Sequence, residues 1–110
     1  MAGLGANNHH QIMTFDVVEE VGGTLRVTLA GELDITNVDT LASAVAPALE
    51  RKPPRVVVEV AELRFADSSA IALWVRWASA VPEIELRDVS PLLRRVVESM
   101  GLADTLHVTP

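Results

Sequence analysis

The chain has 110 residues, a length typical of one compact domain, and its hydrophobic content of 49% is that of an ordinary globular protein. Nine basic residues against fifteen acidic ones give a net charge of −6, which argues against binding to nucleic acid or to anionic membrane surfaces. Because the chain has no cysteine, it can form neither a disulfide nor a zinc–thiolate site.

The N-terminal segment differs from the rest of the chain. Residues 1–12 show no hydrophobic period, and His9-His10 is interpreted as part of a flexible tail rather than as a metal site. We therefore predict a single domain over residues 13–110. No apolar run approaches the ~18–20 residues of a membrane span, and no signal peptide opens the chain, so we expect a cytoplasmic protein.

Two antiparallel strands are predicted to open the domain, because apolar and polar residues alternate over 14–19 and again over 24–29. Phe15 is expected to face inward on the first strand, together with Val17. The Gly22-Gly23 pair between the two segments favours a hairpin turn, since both glycines can adopt positive φ.

A helix is predicted to begin at Thr36, which forms a possible capping box with Asp39. Pro47 should bend or fray its last turn, because proline removes a backbone donor from the helix. The apolar residues of this segment fall on one stripe of a 3.6-residue period. They are Val38, Leu41, Val45 and Leu49.

The next segments alternate between strand and helix. Residues 55–60 form a nearly continuous β-branched run, which is typical of a central strand covered on both faces. An unusually apolar helix is predicted over 71–80, and a short alternating strand over 83–87.

The last predicted helix carries the clearest boundary signals. Ser90 is expected at the N-cap, Pro91 at the first helical position and Gly101 just past the C-terminus. A closing edge strand is possible over 106–108. The predicted inner face of the helix consists of Leu92, Leu93, Val96, Val97 and Met100.

The predicted order of elements is ββαβαβα with a possible closing strand. A hairpin followed by βα units indicates an α/β fold with a mixed sheet and with helices packed mainly on one face.

The segment Asp67-Ser68-Ser69, between a buried strand and an apolar helix, is the main candidate for chemistry. As a helix N-cap, its side chains would accept hydrogen bonds from free amides. As a nucleophile, a serine would need a base, and only His107 is available, with no glycine elbow to expose the hydroxyl. As a phosphoacceptor, a serine at a helix N-terminus would place its phosphate at the positive end of the dipole.

The other candidates give weaker signals. Glu32 and Asp34 would point to one side of an extended segment as a metal or acid–base pair, but no third ligand is evident. Leu73 and Trp77 lie on a flanking arc of their helix, either buried at its edge or exposed as a patch for a partner. No glycine lies between residues 32 and 100, so no nucleotide-binding loop can be written there.

Three motifs, in this order and spacing, resemble the STAS domain, and within it the stand-alone bacterial anti-sigma-factor antagonists. Gly31-Glu32-Leu33-Asp34 matches the Gly-x-Leu-Asp motif that precedes the first helix of the family. Residues 65–70 match its Asp-Ser-Ser-Gly loop, and residues 90–102 match its final helix and exit. The resemblance covers roughly residues 13–109.

The resemblance implies a binding switch without catalytic activity of its own. Such antagonists bind an anti-sigma factor that is itself a serine kinase, and they thereby release a sigma factor. The kinase phosphorylates the first serine of the loop, which corresponds to Ser68, and a serine phosphatase resets the cycle. ATP and Mg²⁺ belong to the kinase, so no cofactor is expected in this chain.

A partner surface controlled by phosphorylation has to be continuous and to include the acceptor. The residues expected to line it are Asp34, Asp67, Ser68, Ser69, Leu73 and Trp77.

The chain departs from the family pattern at Ala70, which replaces the usual glycine after the serines. Its second helix also ends at Pro82 without a glycine turn. These departures keep an alternative open, in which the chain is an unphosphorylated STAS scaffold in a stress-sensing complex or a transporter assembly.

Overall fold

The computed structural model describes residues 12–110. The His9-His10 pair and most of the predicted tail lie outside the described residues, so the prediction made for them stays a prediction. The elements are β1 (Thr14–Glu19), β2 (Leu25–Leu33), α1 (Val38–Glu50), β3 (Val56–Ala66), α2 (Ser68–Ala80), β4 (Ile84–Arg87), α3 (Pro91–Ser99) and α4 (Ala103–Leu106).

The sheet has four strands in the order β1-β2-β3-β4. β1 runs antiparallel to β2, and the β2–β3 and β3–β4 pairs are parallel, which confirms the predicted mixed sheet. The hairpin between β1 and β2 turns at Gly22 and Gly23, whose φ angles of 94° and 96° are the positive values that glycine adopts at low cost. No helix that the structure describes is long and apolar enough to cross a lipid bilayer.

Residues of β2 alternate cleanly between core and partly exposed positions, and Leu25, Val27 and Leu29 are fully buried as predicted. The prediction for β1 is only half right. Val17 packs partly against the core, but Phe15 keeps 37% of its surface exposed. β1 lies at the edge of the sheet, where a side chain has fewer neighbours to cover it.

Helix α1 begins two residues later than predicted, and its capping box does not form. Asn37 occupies the N-cap position without a side-chain cap bond, and the Asp34 carboxylate accepts the Thr36 N–H at 2.9 Å instead. The helix also continues past Pro47 to its end at Glu50. Its buried stripe holds the last turn in place, because tertiary packing outweighs local propensity.

β3 is longer than the predicted strand, since it runs on to Ala66. The extra residues face irregular parts of β2, with register shifts between Thr28 and Ala30 and between Gly31 and Glu32. Such bulges break the period-two alternation by which a strand is identified from sequence.

Helix α2 is packed more deeply than predicted. It begins at Ser68, and Leu73 and Trp77 are only 2% and 3% exposed. These two side chains therefore belong to the core and do not line a partner surface, which corrects the earlier expectation. They lie four residues apart and share the inward side of the helix with Trp74.

Helix α3 has the predicted ends. The Ser90 hydroxyl accepts the Leu93 N–H at 3.2 Å, and Gly101 has a positive φ of 74°. The Leu102 N–H donates to the Val97 carbonyl at 3.0 Å, which completes a Schellman ending. The predicted closing strand is reduced to a single bridge between Leu86 and Val108.

The predicted inner face of α3 is too broad. Leu93 and Val97 are buried, but Leu92, Val96 and Met100 are 69%, 38% and 47% exposed. The helix follows the short edge strand β4, so only one narrow side of it reaches the core.

Charged side chains cover the second face of the sheet, which is turned away from the buried Leu25, Val27 and Leu29. Arg26 contacts Glu20 at 2.8 Å and also contacts Glu59, and Arg87 contacts Glu85 at 3.0 Å. Val57, on the same face, is fully buried although it lies outside the hydrophobic core cluster. The arginine stems and their partners thus shield this face from water.

Candidate functional site

The candidate site lies where β2 and β3 end side by side. Leu33 is paired with Ala66, and the Asp67 N–H donates to the Leu33 carbonyl at 3.2 Å. Asp34 and Asp67 therefore lie in neighbouring loops at the carboxyl ends of these two parallel strands. The two loops are also in direct contact through the Asp67 side chain.

Asp67 is the N-cap of α2. One oxygen of its carboxylate accepts the backbone N–H groups of Ser69 at 2.9 Å and Ala70 at 3.2 Å, and it also accepts the Ser69 hydroxyl. The other oxygen accepts the N–H of Ile35 at 3.1 Å. The cap was predicted from sequence, but the bond to Ile35, which ties the two loops together, was not.

These hydrogen bonds set the charge state of Asp67. Burial alone would raise the pKa of its carboxyl group, but hydrogen bonds from Ser69, Ala70 and Ile35 outweigh burial and hold the pKa below its ordinary value. The carboxylate is therefore ionised at neutral pH, and its contribution to stability is lost only as the pH falls through this lowered pKa.

We expect Asp67→Ala to lower the free energy of unfolding at pH 7 by about 0.5–2 kcal/mol, because three backbone amides lose their acceptor. The difference from the wild type should begin to shrink as the pH falls below about 4, where the unfolded wild-type chain binds the proton first, and it should vanish only below the lowered pKa of the folded carboxyl group. Urea unfolding from pH 7 to pH 3 measures both effects. Asp16→Ala, at an exposed position of β1, is the control and should have little effect. A loss that does not vary with pH would contradict this account.

The two serines of the loop occupy different environments. Ser68 is exposed at the first position of α2, and its hydroxyl makes no hydrogen bond to any residue that the structure describes. Ser69 is half-buried, and its hydroxyl donates to Asp67. Of the pair, Ser68 has the accessible and uncommitted oxygen.

The neighbouring loop is held in place by its own polar side chains. Asn37 accepts the Asp34 N–H at 2.9 Å, and its amide group donates to the Glu32 carbonyl at 2.9 Å. The Asp34 carboxylate accepts both the N–H and the hydroxyl of Thr36. Asp34 therefore orders this loop, and its carboxylate is directed at Thr36.

Ile35 is the residue of this site that sequence reasoning missed. Its backbone is bonded to Asp67, and its side chain is 70% exposed. A fixed backbone that presents an exposed isoleucine provides an apolar contact next to Ser68. The only available signal was an isolated isoleucine between polar loop residues.

The outer side of α2 extends the surface away from Ser68. Ala72 and Arg76 are exposed, and they follow Ser68 at spacings of four and eight residues, so the three share one side of the helix. Leu73 and Trp77, which the predicted surface included, face the core instead.

His107, the base that a serine nucleophile would need, is not part of this site. The His107 Nδ1–H donates to the Ile84 carbonyl at 2.7 Å, where β4 begins, whereas Ser68 follows the far end of β3. Ile84 and Ser68 therefore lie toward opposite ends of the parallel β3–β4 pair, so His107 cannot act as a base for Ser68. Among residues 12–110, no group of three or more candidate ligands could hold a metal ion.

Comparisons with known proteins agree with this fold. The family model described as "Mlab, STAS domain" matches residues 17–109. No curated protein matches the chain in sequence.

Solved structures resemble most of the chain. An anti-sigma factor antagonist from Mycobacterium paratuberculosis has a TM-score of 0.81 at 20% identity, over 90% of this chain and 86% of that one. The anti-sigma factor antagonist SpoIIAA in its unphosphorylated form has a TM-score of 0.76 at 22% identity, over 88% and 89% of the two chains. Murine Slc26a9, an anion transporter, has a TM-score of 0.66 at 16% identity, over 84% of this chain and 17% of that one. At these identities the likeness establishes the fold.

Proposed function

Because the chain belongs to the STAS domain family, we propose that it is an anti-sigma-factor antagonist, a cytoplasmic protein without enzymatic activity that binds an anti-sigma serine kinase and so releases a sigma factor. The observation that carries this proposal is the exposed hydroxyl of Ser68, which has no hydrogen-bond partner among the described residues, at the start of α2 beside the N-cap residue Asp67.

In this proposal, the kinase controls the complex by modifying Ser68. The γ-phosphoryl group of ATP is transferred to the Ser68 oxygen, the hydroxyl proton is lost, and ADP leaves. The new phosphate carries a charge of about −1.5 to −2 at neutral pH. The positive end of the α2 dipole stabilises an anion, so the folded protein tolerates the phosphate. The complex with the kinase does not tolerate this charge. A serine phosphatase removes the phosphate and restores binding.

The partner surface consists of two loops and one side of a helix. Ile35 supplies the apolar contact, and Asp67 holds the Ile35 backbone and the first turn of α2 in one arrangement. Ser68 follows Asp67 in the chain and shares one side of α2 with the exposed Ala72. Asp34, Ser69 and Arg76 complete the set of residues proposed for this surface.

Phosphorylation by the cognate kinase is expected on Ser68. After incubation with kinase and ATP, mass spectrometry should find one phosphate, located on Ser68. Ser68→Ala should abolish incorporation. Ser69→Ala should still be modified, because Ser69 serves to support the cap. If phosphate were still incorporated in Ser68→Ala but lost in Ser69→Ala, the acceptor would be Ser69, which would contradict the proposal.

A second candidate is an unphosphorylated scaffold in a transporter or stress-sensing assembly. It is favoured by the similarity to a part of murine Slc26a9, an anion transporter. In that case Ser68 would be only a surface residue, and Ser68→Asp would leave assembly with the partner unchanged. The phosphorylation experiment separates the two candidates.

A further inference from the structure

An apolar groove lies between the end of β3 and helix α3, on a surface that the proposed function does not use. It has a volume of about 170 Å³. Leu63 and Leu93 line it as buried side chains, whereas Phe65, Leu92 and Val96 are 49%, 69% and 38% exposed. Large apolar side chains thus remain in contact with water on both walls of the groove.

One wall of the groove is an incomplete sheet edge. β4 pairs with β3 only as far as Glu59, whereas β3 continues to Ala66. Among the described residues, no strand pairs with the outer edge of β3 from residue 60 to residue 66. That edge, about 20 Å long, offers backbone donors and acceptors to an added strand.

Two arginines lie at or near the groove. Arg64 lines it, and Arg95 lies on α3, three residues from Leu92 and outside the lining. Neither arginine forms an ion pair with any residue that the structure describes, whereas Arg94 is paired with Glu98 at 3.7 Å. The groove therefore combines apolar contacts with one lining cation and a second cation on the adjoining helix.

We propose that this groove binds an extended segment of a partner protein, in which apolar residues alternate with Asp or Glu. The segment would add as a strand to the outer edge of β3. Its apolar side chains would cover Phe65, Leu92 and Val96, and its carboxylates would meet Arg64 and Arg95. This site shares no residue with the surface proposed around Ser68, and binding to it does not require phosphorylation.

The chemistry of the groove selects this occupant over others. A basic segment would place like charges beside Arg64 and Arg95, which is unfavourable at an interface. A second copy of the chain would give a concentration-dependent change of mass. Sedimentation of the free protein should therefore show a monomer, and association that Leu92→Ser abolishes would assign the groove to self-assembly and overturn the proposal.

Two display libraries of eight-residue segments test the proposal. In one, apolar residues alternate with Asp or Glu; in the other, the same apolar residues alternate with Lys or Arg. We expect the wild-type protein to enrich the acidic library only. Enriched peptides, titrated into ¹⁵N-labelled protein, should shift backbone amides in the 60–66 segment of β3.

Variants at exposed positions locate the binding. Leu92→Ser and Arg95→Glu should each weaken peptide binding at least tenfold. Lys52→Glu makes the same charge change just after α1, and it should alter binding less than twofold. All three variants should keep the wild-type melting temperature. Enrichment of both libraries alike, enrichment of neither, or an equal loss in Lys52→Glu would overturn the proposal.

Discussion

Replacing Leu73 with alanine is expected to lower the free energy of unfolding by about 2–5 kcal/mol. The side chain is 2% exposed and lies beside Trp74 and Trp77 in the core, so its removal leaves a cavity under α2. Unfolding in urea, followed by tryptophan fluorescence and by circular dichroism, measures the loss.

Leu92→Ala is the matched control for this experiment. It removes the same atoms from a helix, but at a side chain that is 69% exposed, so stability should change by no more than about 0.5 kcal/mol. If Leu73→Ala were as stable as Leu92→Ala, the packing of α2 described above would be wrong, and Leu73 would return as a candidate for the partner surface.

The protein phosphorylated at Ser68 is expected to bind the kinase at least tenfold more weakly than the unmodified protein. Changes in affinity of about 5–150-fold are typical for coupled equilibria. The phosphate places about two negative charges beside Asp67, in a surface that has to be desolvated on binding. Ser68→Asp carries only one charge and should show a smaller loss. Titration calorimetry measures all three affinities.

Ser79→Asp is the control for charge alone. Ser79 is exposed near the far end of α2, so an acid there adds the same charge to the helix without touching the proposed surface. The Ser79→Asp protein should bind the kinase with the affinity of the wild type. Equal affinities for the phosphoprotein and the unmodified protein would contradict a switch at Ser68. An equal loss in Ser79→Asp would show that net charge, rather than position, determines binding.

The parts of the fold that sequence predicted well depend on local chemistry. The cap at Ser90 and the helix exit at Gly101 each follow from the bonding of a few neighbouring residues, and both are present. The hairpin at Gly22-Gly23 is of the same kind. The N-cap at Asp67 also belongs to this group, because an aspartate before a helix satisfies amides only two and three residues away.

The predictions that failed depend on contacts between distant segments. A helix that is apolar on almost every side, such as α2, contains no periodic signal that separates Leu73 from a surface residue. The exposure of Leu92 depends on how far β4 extends, and the length of β3 depends on bulges in its neighbour β2. The exposed position of Ile35 depends on a hydrogen bond to Asp67, 32 residues away along the chain.

The two-sided hydrogen bonding of Asp67 has a consequence for mutational scanning of this surface. Its carboxylate holds the first turn of α2 with one oxygen and the Ile35 backbone with the other. Removing it frees both loops at once, so the variant loses the ordered presentation of Ile35 even though that side chain is intact. Mutational scanning would thus identify Asp67 as a binding residue even though no partner atom touches it. Combining Asp67→Ala with Ile35→Ala in a double-mutant cycle distinguishes the two roles, since the losses of residues that act through each other are not additive.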